Sequence, residues 1–175
     1  MKLNTKKLTT IGILSAISFV LMMIEFPLPF MPPFLKFDLS TVPTLVSGFM
    51  FGPLGGICVA LIKDLLHLLM TNTGGVGELA DFLCTGIMVL CSSLVYLKYR
   101  TKKGALIGLF VGILGLLLVS SLTNAFLLLP LYLNINPLET LSYITGAIVP
   151  FNFVKGVILS IVTFILYKNI SRILK

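Results

Sequence analysis

Charge is scarce in this chain. Only 11% of its 175 residues are charged, thirteen basic and six acidic, while 57% are hydrophobic and the mean hydropathy is +1.09. A soluble domain of this length does not carry so much apolar surface, so lipid must be the solvent for much of it. Cysteine is rare too: Cys58, Cys84 and Cys91 are odd in number, stand in apolar segments and form no Cys-x-x-Cys. They exclude a disulfide framework and read as small buried hydrophobes. His67 is the one histidine, with no second ligand at metal spacing, so the chain lacks a convincing metal site. No glycine run is followed by Gly-Lys-Ser/Thr, so there is no P-loop and the chain cannot hydrolyse ATP alone. No internal repeat or low-complexity tract interrupts what reads as a single membrane domain over residues 1–175.

Acids are missing from three basic regions: Lys2, Lys6 and Lys7; Lys98, Arg100, Lys102 and Lys103; and Lys168, Arg172 and Lys175. All six acids fall between them. That distribution is the positive-inside pattern rather than a nucleic-acid footprint, and it places both termini and the 98–103 loop in the cytoplasm. Contact with lipid headgroups is a secondary reading of the same charges. The run Leu8–Phe26 has no small-residue cleavage site before Pro27, so it is expected to remain as a first span rather than leave as a signal peptide. Leu79–Leu97, Ala105–Leu129 and Ile144–Tyr167 are further spans. Between Thr41 and Met70 the run is broken at Gly52-Pro53-Leu54-Gly55-Gly56. One span here would put the basic 98–103 loop outside; two, Thr41–Phe51 and Leu54–Met70, put it inside. Charge parity therefore predicts an all-α bundle of six membrane helices. The second, at about 16 Å, is too short to cross hydrocarbon unaided and needs shielding by its neighbours. Ser40 is its expected N-cap. Pro27–Ser40, Thr71–Glu78 and Pro130–Tyr143 become outer segments, so a cavity built partly of loops opens outward.

Lys155 is the energetic anomaly. Ile144–Tyr167 makes about 36 Å of helix in which Asn152 and Lys155 are the only strongly polar side chains. Lys155 lies about 20 Å from the boundary at Lys168, beyond the reach of snorkelling. A central lysine costs roughly 2.5–3.5 kcal/mol even on lenient insertion scales. Phe151, Asn152 and Lys155 share one helical face, with Leu159 below to seal a cavity. A structural pairing of Lys155 with Asp81 or Asp64 stands beside the ligand reading. On the fifth span Ser120, Ser121 and Asn124 form a polar strip, either an opposite cavity wall or interhelical hydrogen bonds. Gly104, Gly108 and Gly112 make a small-residue packing ridge. Lys63, Asp64 and His67 form a charged turn, read as a local Lys63–Asp64 pair with a satisfied histidine. Gly74-Gly75-Val76-Gly77 precedes Glu78 and Asp81, whose acids complement a helix N-terminus, while the glycines allow close approach of a ligand. Phe26-Pro27-Leu28-Pro29-Phe30-Met31-Pro32-Pro33-Phe34 is an apolar loop, either a lid using Leu28 and Met31 over a flat ligand or packing across the helix tops.

Together Phe26-Pro27-Leu28-Pro29-Phe30, Pro32-Pro33, Asp38-Leu39-Ser40-Thr41-Val42-Pro43, Phe51-Gly52-Pro53 and Pro150-Phe151-Asn152-Phe153-Val154-Lys155-Gly156 resemble the riboflavin-specific substrate-capture (S) component of energy-coupling-factor (ECF) vitamin transporters. The spacing of Asn124 before Leu128-Leu129-Pro130-Leu131-Tyr132 is similar as well, and the resemblance covers nearly the whole chain. It implies a six-helix bacterial plasma-membrane protein that binds riboflavin near the outer face as transported ligand, not cofactor. It also implies partners: a transmembrane coupling subunit and two cytoplasmic ATPases. Asn124, Asn152 and Lys155 would hydrogen-bond the isoalloxazine ring beside Phe151, with Leu28 and Met31 in the covering loop. Gly75, Gly77 and Asp81, at the start of the fourth span, would approach the ribityl chain. One lysine suits a neutral ring better than a polyanion, which disfavours FAD. In place of the family's Ala-x-x-x-Ala docking surface the first helix offers Gly12 and Ala16, then Val20.

The alternatives are an S component for thiamine, biotin or pantothenate, an intramembrane enzyme, and a small channel or scaffold. No His/Asp/Glu cluster or activated serine at useful spacing supports the enzyme, and the sealed polar face around Lys155 argues against a continuous pore.

Overall fold

The computed structural model describes residues 5–29, 31–33, 35–71, 74–133 and 137–170. Lys2, Phe30, Phe34, Arg172 and Lys175 lie outside the described residues. Six helices run in order: α1 Thr5–Met23, α2 Thr41–Phe51, α3 Pro53–Leu68, α4 Val76–Lys98, α5 over 102–133 and α6 over 137–170. A minimal antiparallel hairpin, β1 Phe26–Pro27 with β2 Lys36–Phe37, joins α1 to α2. Among the described residues four helices are long and apolar enough to cross a membrane: α1, α4, α5 and α6.

The Thr41–Met70 stretch divides as charge parity requires. Gly52 lies at φ 84°, a left-handed conformation that glycine adopts without a Cβ penalty, and Pro53 opens α3 at a position where its missing N–H is not needed. Short α2 is the axis of the bundle: every residue from Thr41 to Phe49 is buried. It packs against α1, α3, α4 and α6, so its unmatched length never meets lipid. Val42, Leu45 and Phe49 join Met88, Val89 and Tyr96 of α4, Leu109, Ile113 and Leu116 of α5, and Leu159 and Tyr167 of α6 in the main core. Tyr96 and Tyr167 close one end of that core with hydroxyls 2.7 Å apart. Ser40 is the residue before α2, but its side chain makes no capping bond. Its own N–H donates to Asp38 Oδ1 at 2.8 Å instead.

The surface is inverted relative to a soluble protein. Leu8, Ile13 and Ile17 of α1, Ile107, Phe110 and Leu114 of α5, and Phe153, Ile158 and Ile165 of α6 are exposed, while Ser15, Ser18, Thr44, Ser92, Ser93 and Thr163 are buried. Small residues let backbones approach where no hydrophobic driving force separates protein from lipid. The glycine ridge of α5 does this against α4: a Cβ on Gly108 would stand 2.6 Å from the Ser92 carbonyl, and one on Gly112 would stand 2.1 Å from Ser92 Oγ.

The expected outer segment Pro130–Tyr143 is not a long loop. Helix α5 runs on to Leu133 and α6 begins at Pro137. Each helix contains one π-helical turn, Asn124–Leu128 in α5 and Ile144–Ile148 in α6, and a proline stands two residues beyond each, Pro130 and Pro150. In a regular helix the ring would press on the carbonyl four residues back. The π-turns bond five apart, Leu129 N to Asn124 O and Val149 N to Ile144 O, and open the ladder just before each ring.

A valine at Gly108 is expected to cost about 1–3 kcal/mol by overpacking against backbone, read as a lower midpoint of thermal unfolding in detergent. Gly12→Ala, at a position where a Cβ meets nothing within 4 Å, should leave that midpoint unchanged.

Candidate functional site

A cavity of about 260 Å³ lies at one end of the bundle. It is bounded by the end of α1 (Met22, with Glu25), by Leu35, Lys36 and Asp38 beside β2, and by Thr41 of α2. His67 of α3, the first half of α4 from Gly77 to Met88, and the facing parts of α5 and α6 complete it. Among the described residues the basic clusters Lys6–Lys7 and Lys98–Lys103 occupy the opposite end, at the start of α1 and the α4–α5 turn.

One wall carries the amides. Asn124 and Asn152 both border the cavity, and each donates its side-chain Nδ2 to a carbonyl four residues back, Ser120 O at 2.7 Å and Ile148 O at 2.9 Å. The π-turns flank these bonds: Asn124 begins one and Ile148 ends the other. Each bond uses one of the two N–H donors of its amide, so the second N–H and the oxygen are left for other partners. Asn124 Oδ1 is buried and accepts no hydrogen bond among the described residues. Ser120 also borders the cavity, but Ser120 and Ser121 donate to Leu117 O within α5 rather than across helices.

Lys155 stands beside these amides on α6, together with Phe151, Asn152 and Leu159. Its ammonium donates to Asp38 Oδ2 at 2.9 Å, and Asp81 Oδ1 lies at 3.8 Å. Asp38 is its one hydrogen-bond acceptor among the described residues, so two of three N–H bonds are left for a ligand. Asp38 is the partner that residue spacing along α6 does not reveal. Its Oδ1 anchors the turn into α2 while its Oδ2 takes the lysine, so one carboxylate fixes both the loop and the cavity-facing cation. The available signal is position: Asp38 is the one acid between the proline-rich loop and the buried α2.

Asp81 connects this group to a second lysine. Lys63 is fully buried and donates to Asp81 Oδ2 at 2.5 Å, to Asp64 Oδ1 at 2.7 Å and to Met22 Sδ at 3.6 Å. The local Lys63–Asp64 pair is therefore present, but it belongs to a chain across α3 and α4 that ends at α6. His67 Nδ1 lies 2.9 Å from Glu78 Oε1 on the cavity wall, so the histidine is satisfied by a carboxylate. No group of metal-ligating side chains exists among the described residues.

Gly77 and Asp81 border the cavity; Gly75 does not. Gly75 precedes α4 at φ 89° and borders a separate hollow between α3 and α4, near Leu68 and Phe82. Leu28 and Met31 lie on the cluster of Leu35, Phe37, Leu129, Ile148 and Phe151 across the tops of α5 and α6. The loop's direct contribution to the cavity wall is Leu35 and Lys36, with Lys36 also paired to Glu25. Gly12 and Ala16 are exposed on α1, away from the cavity.

This cavity can hold a neutral, mainly apolar ligand with a polar edge. Met88, Leu116, Leu128, Phe151 and Leu159 supply apolar walls. Lys155 supplies donors, and Asn124 Oδ1 and the carboxylates supply acceptors.

Known proteins match this chain over nearly its whole length. The family model for the ECF transporter substrate-specific component matches residues 6–167. The riboflavin transporter RibU of Staphylococcus aureus (strain TCH60) is 42% identical over 99% of this chain and 96% of its own length. The riboflavin transporter FmnP of Bacillus subtilis (strain 168) is 33% identical over 91% and 89%. A solved structure described as "Structure and mechanism of the S component of a bacterial ECF transporter" superposes with a TM-score of 0.86 at 42% identity, covering 98% of each chain. The chain is a transporter component, not an enzyme, and belongs to the family of ECF transporter substrate-specific components.

Proposed function

We propose that this chain is the riboflavin-capturing subunit of a vitamin importer in the bacterial plasma membrane. The observation that carries the reading is the pairing, on one cavity wall, of a lysine with spare donors and a buried amide oxygen with no partner. The pyrimidine edge of a flavin presents two carbonyl acceptors flanking an imide N–H. Lys155 serves a carbonyl, Asn124 Oδ1 accepts from the imide, and Asn152 completes the edge. Phe151, Leu116 and Met88 flank the ring, and Gly77 and Asp81 lie toward the ribityl chain. The names of the relatives agree with this ligand. At about 260 Å³ the cavity falls just below the range for ligand sites, roughly 300 Å³ upward. Leu28 and Met31, packed against the cluster that contains Phe151, then serve as the cover that adjusts around the vitamin.

Orientation follows from charge. With the basic clusters in the cytoplasm the cavity opens outward, where the vitamin is captured. Delivery then depends on a transmembrane coupling subunit and two cytoplasmic ATPases, since the chain carries no nucleotide-binding loop. The exposed Gly12–Ala16 face of α1 is the docking surface for the coupling subunit.

The purified protein is expected to be yellow and to quench flavin fluorescence saturably on titration with riboflavin. Absence of saturable quenching by the folded protein would sink the assignment, and parallel titrations with thiamine, biotin and pantothenate identify a different vitamin. Lys155→Ala should weaken riboflavin binding about 10- to 100-fold, the range for losing a charged hydrogen bond, without preventing membrane insertion. Unchanged affinity would make Lys155 structural. Ala16→Trp should abolish ATP-driven uptake by the assembled complex while leaving riboflavin binding to the isolated subunit intact; loss of both would place Ala16 in the fold rather than in docking.

A further inference from the structure

Lys63 borders neither the cavity nor lipid, yet among the described residues it is the most enclosed charge, at 0% exposure. Stability alone does not account for it, because well-packed apolar residues often match or exceed a buried ion pair. Its three N–H bonds are fully used by Asp81, Asp64 and Met22, whereas Lys155 uses one. The two lysines therefore do different work. Asp81 is what they share. Its Oδ2 receives both Lys63 at 2.5 Å and Thr85 Oγ1 at 3.2 Å, while Oδ1 lies 3.8 Å from Lys155, outside hydrogen-bond reach. The Asp81 side chain is 18% exposed and forms part of the cavity wall.

We infer that Lys63 is a positioning residue for the ligand site, acting through Asp81 on Lys155; the inference rests on the riboflavin-capture reading. Lys63 and Thr85 hold one oxygen of Asp81 and set the distance of the other from Lys155. Three carboxylates, Asp38, Asp64 and Asp81, surround two ammonium groups in an apolar interior. With Lys63 in place Asp81 is already engaged, so Lys155 is drawn only to Asp38 and keeps its remaining donors for the ligand. Without Lys63, Asp81 closes on Lys155, the nearest cation left to it, and takes those donors away from the cavity.

A merely structural lysine would lower stability and affinity independently of Lys155, so coupling between the two is the decisive readout. Riboflavin affinity is measured by fluorescence quenching for the full chain in detergent, in wild type, Lys63→Met, Lys155→Ala and the double variant, alongside ligand-free thermal unfolding. Lys63→Met is expected to weaken binding about tenfold in the wild-type background and less than twofold in the Lys155→Ala background. Equal losses in both backgrounds overturn the inference, as does an unchanged affinity in Lys63→Met. If Lys63→Met does not fold, Lys63→Gln, which still offers a donor to Asp81, takes its place with the opposite expectation: affinity within twofold of wild type supports the inference, and a tenfold loss that persists in the Lys155→Ala background overturns it. Wild-type protein that binds no riboflavin would instead defeat the functional reading on which the inference rests.

Discussion

Two ammonium groups held at membrane depth among three carboxylates are the constraint around which this bundle is arranged. A lone lysine in hydrocarbon is costly, and each of these is enclosed by partners from other elements: Lys63 of α3 by Asp81 of α4, Lys155 of α6 by Asp38 beside β2. Because the partners are remote in sequence, the pairs cross-link α3, α4, α6 and the hairpin at one end of the molecule. The same requirement leaves a difference between them. Lys63 is saturated, whereas Lys155 faces a cavity with donors unused, and it is on these donors that the proposed capture of a neutral molecule rests.

Around that end the bundle follows the logic of a lipid solvent. Its apolar bulk faces outward, and serines, threonines and glycines face inward where helices meet. The short α2 could be placed only at the centre, and its Val42, Leu45 and Phe49 belong to one core cluster with Met88, Val89, Ile113 and Leu159. The floor of the cavity is the top of this core: Met88, Leu116 and Leu159 belong to both. Ligand site and fold therefore share side chains rather than lying side by side.

The six-helix architecture is legible in the sequence because it follows from quantities that sequence carries directly: apolar length, the Gly52-Pro53 break and the parity of basic loops. The shared face of Phe151, Asn152, Lys155 and Leu159 is legible for the same reason, since it lies within one helix. What depends on tertiary proximity is not. Asp38 lies 117 positions from Lys155, and Lys63 meets Asp81 only once α3 and α4 have turned back on each other at the Gly74-Gly75 corner. The π-turns are hidden for another reason. By sequence Pro130 marks an outer boundary and Pro150 the start of a motif, whereas a local change of hydrogen-bond register carries both helices past them. That register change also sets where Asn124 and Asn152 stand on the cavity wall. Residue type and helical spacing single out both amides, but their positions relative to each other depend on two turns that break the spacing.

The burial of α2 has a consequence for biogenesis. A segment of about 16 Å that is enclosed on every side by protein cannot partition into lipid as an independent step. It must enter the membrane together with α3, to which the tight Gly52 corner binds it as a helical hairpin. Its remaining sides, which α1, α4 and α6 cover in the finished bundle, stay unshielded until those helices arrive. Helix α6, which follows the other five in the chain, therefore completes both the enclosure of α2 and, through Lys155, the charge pairing of Asp38. Shielding of α2 and pairing of the cavity's charges are thus supplied by the same helix.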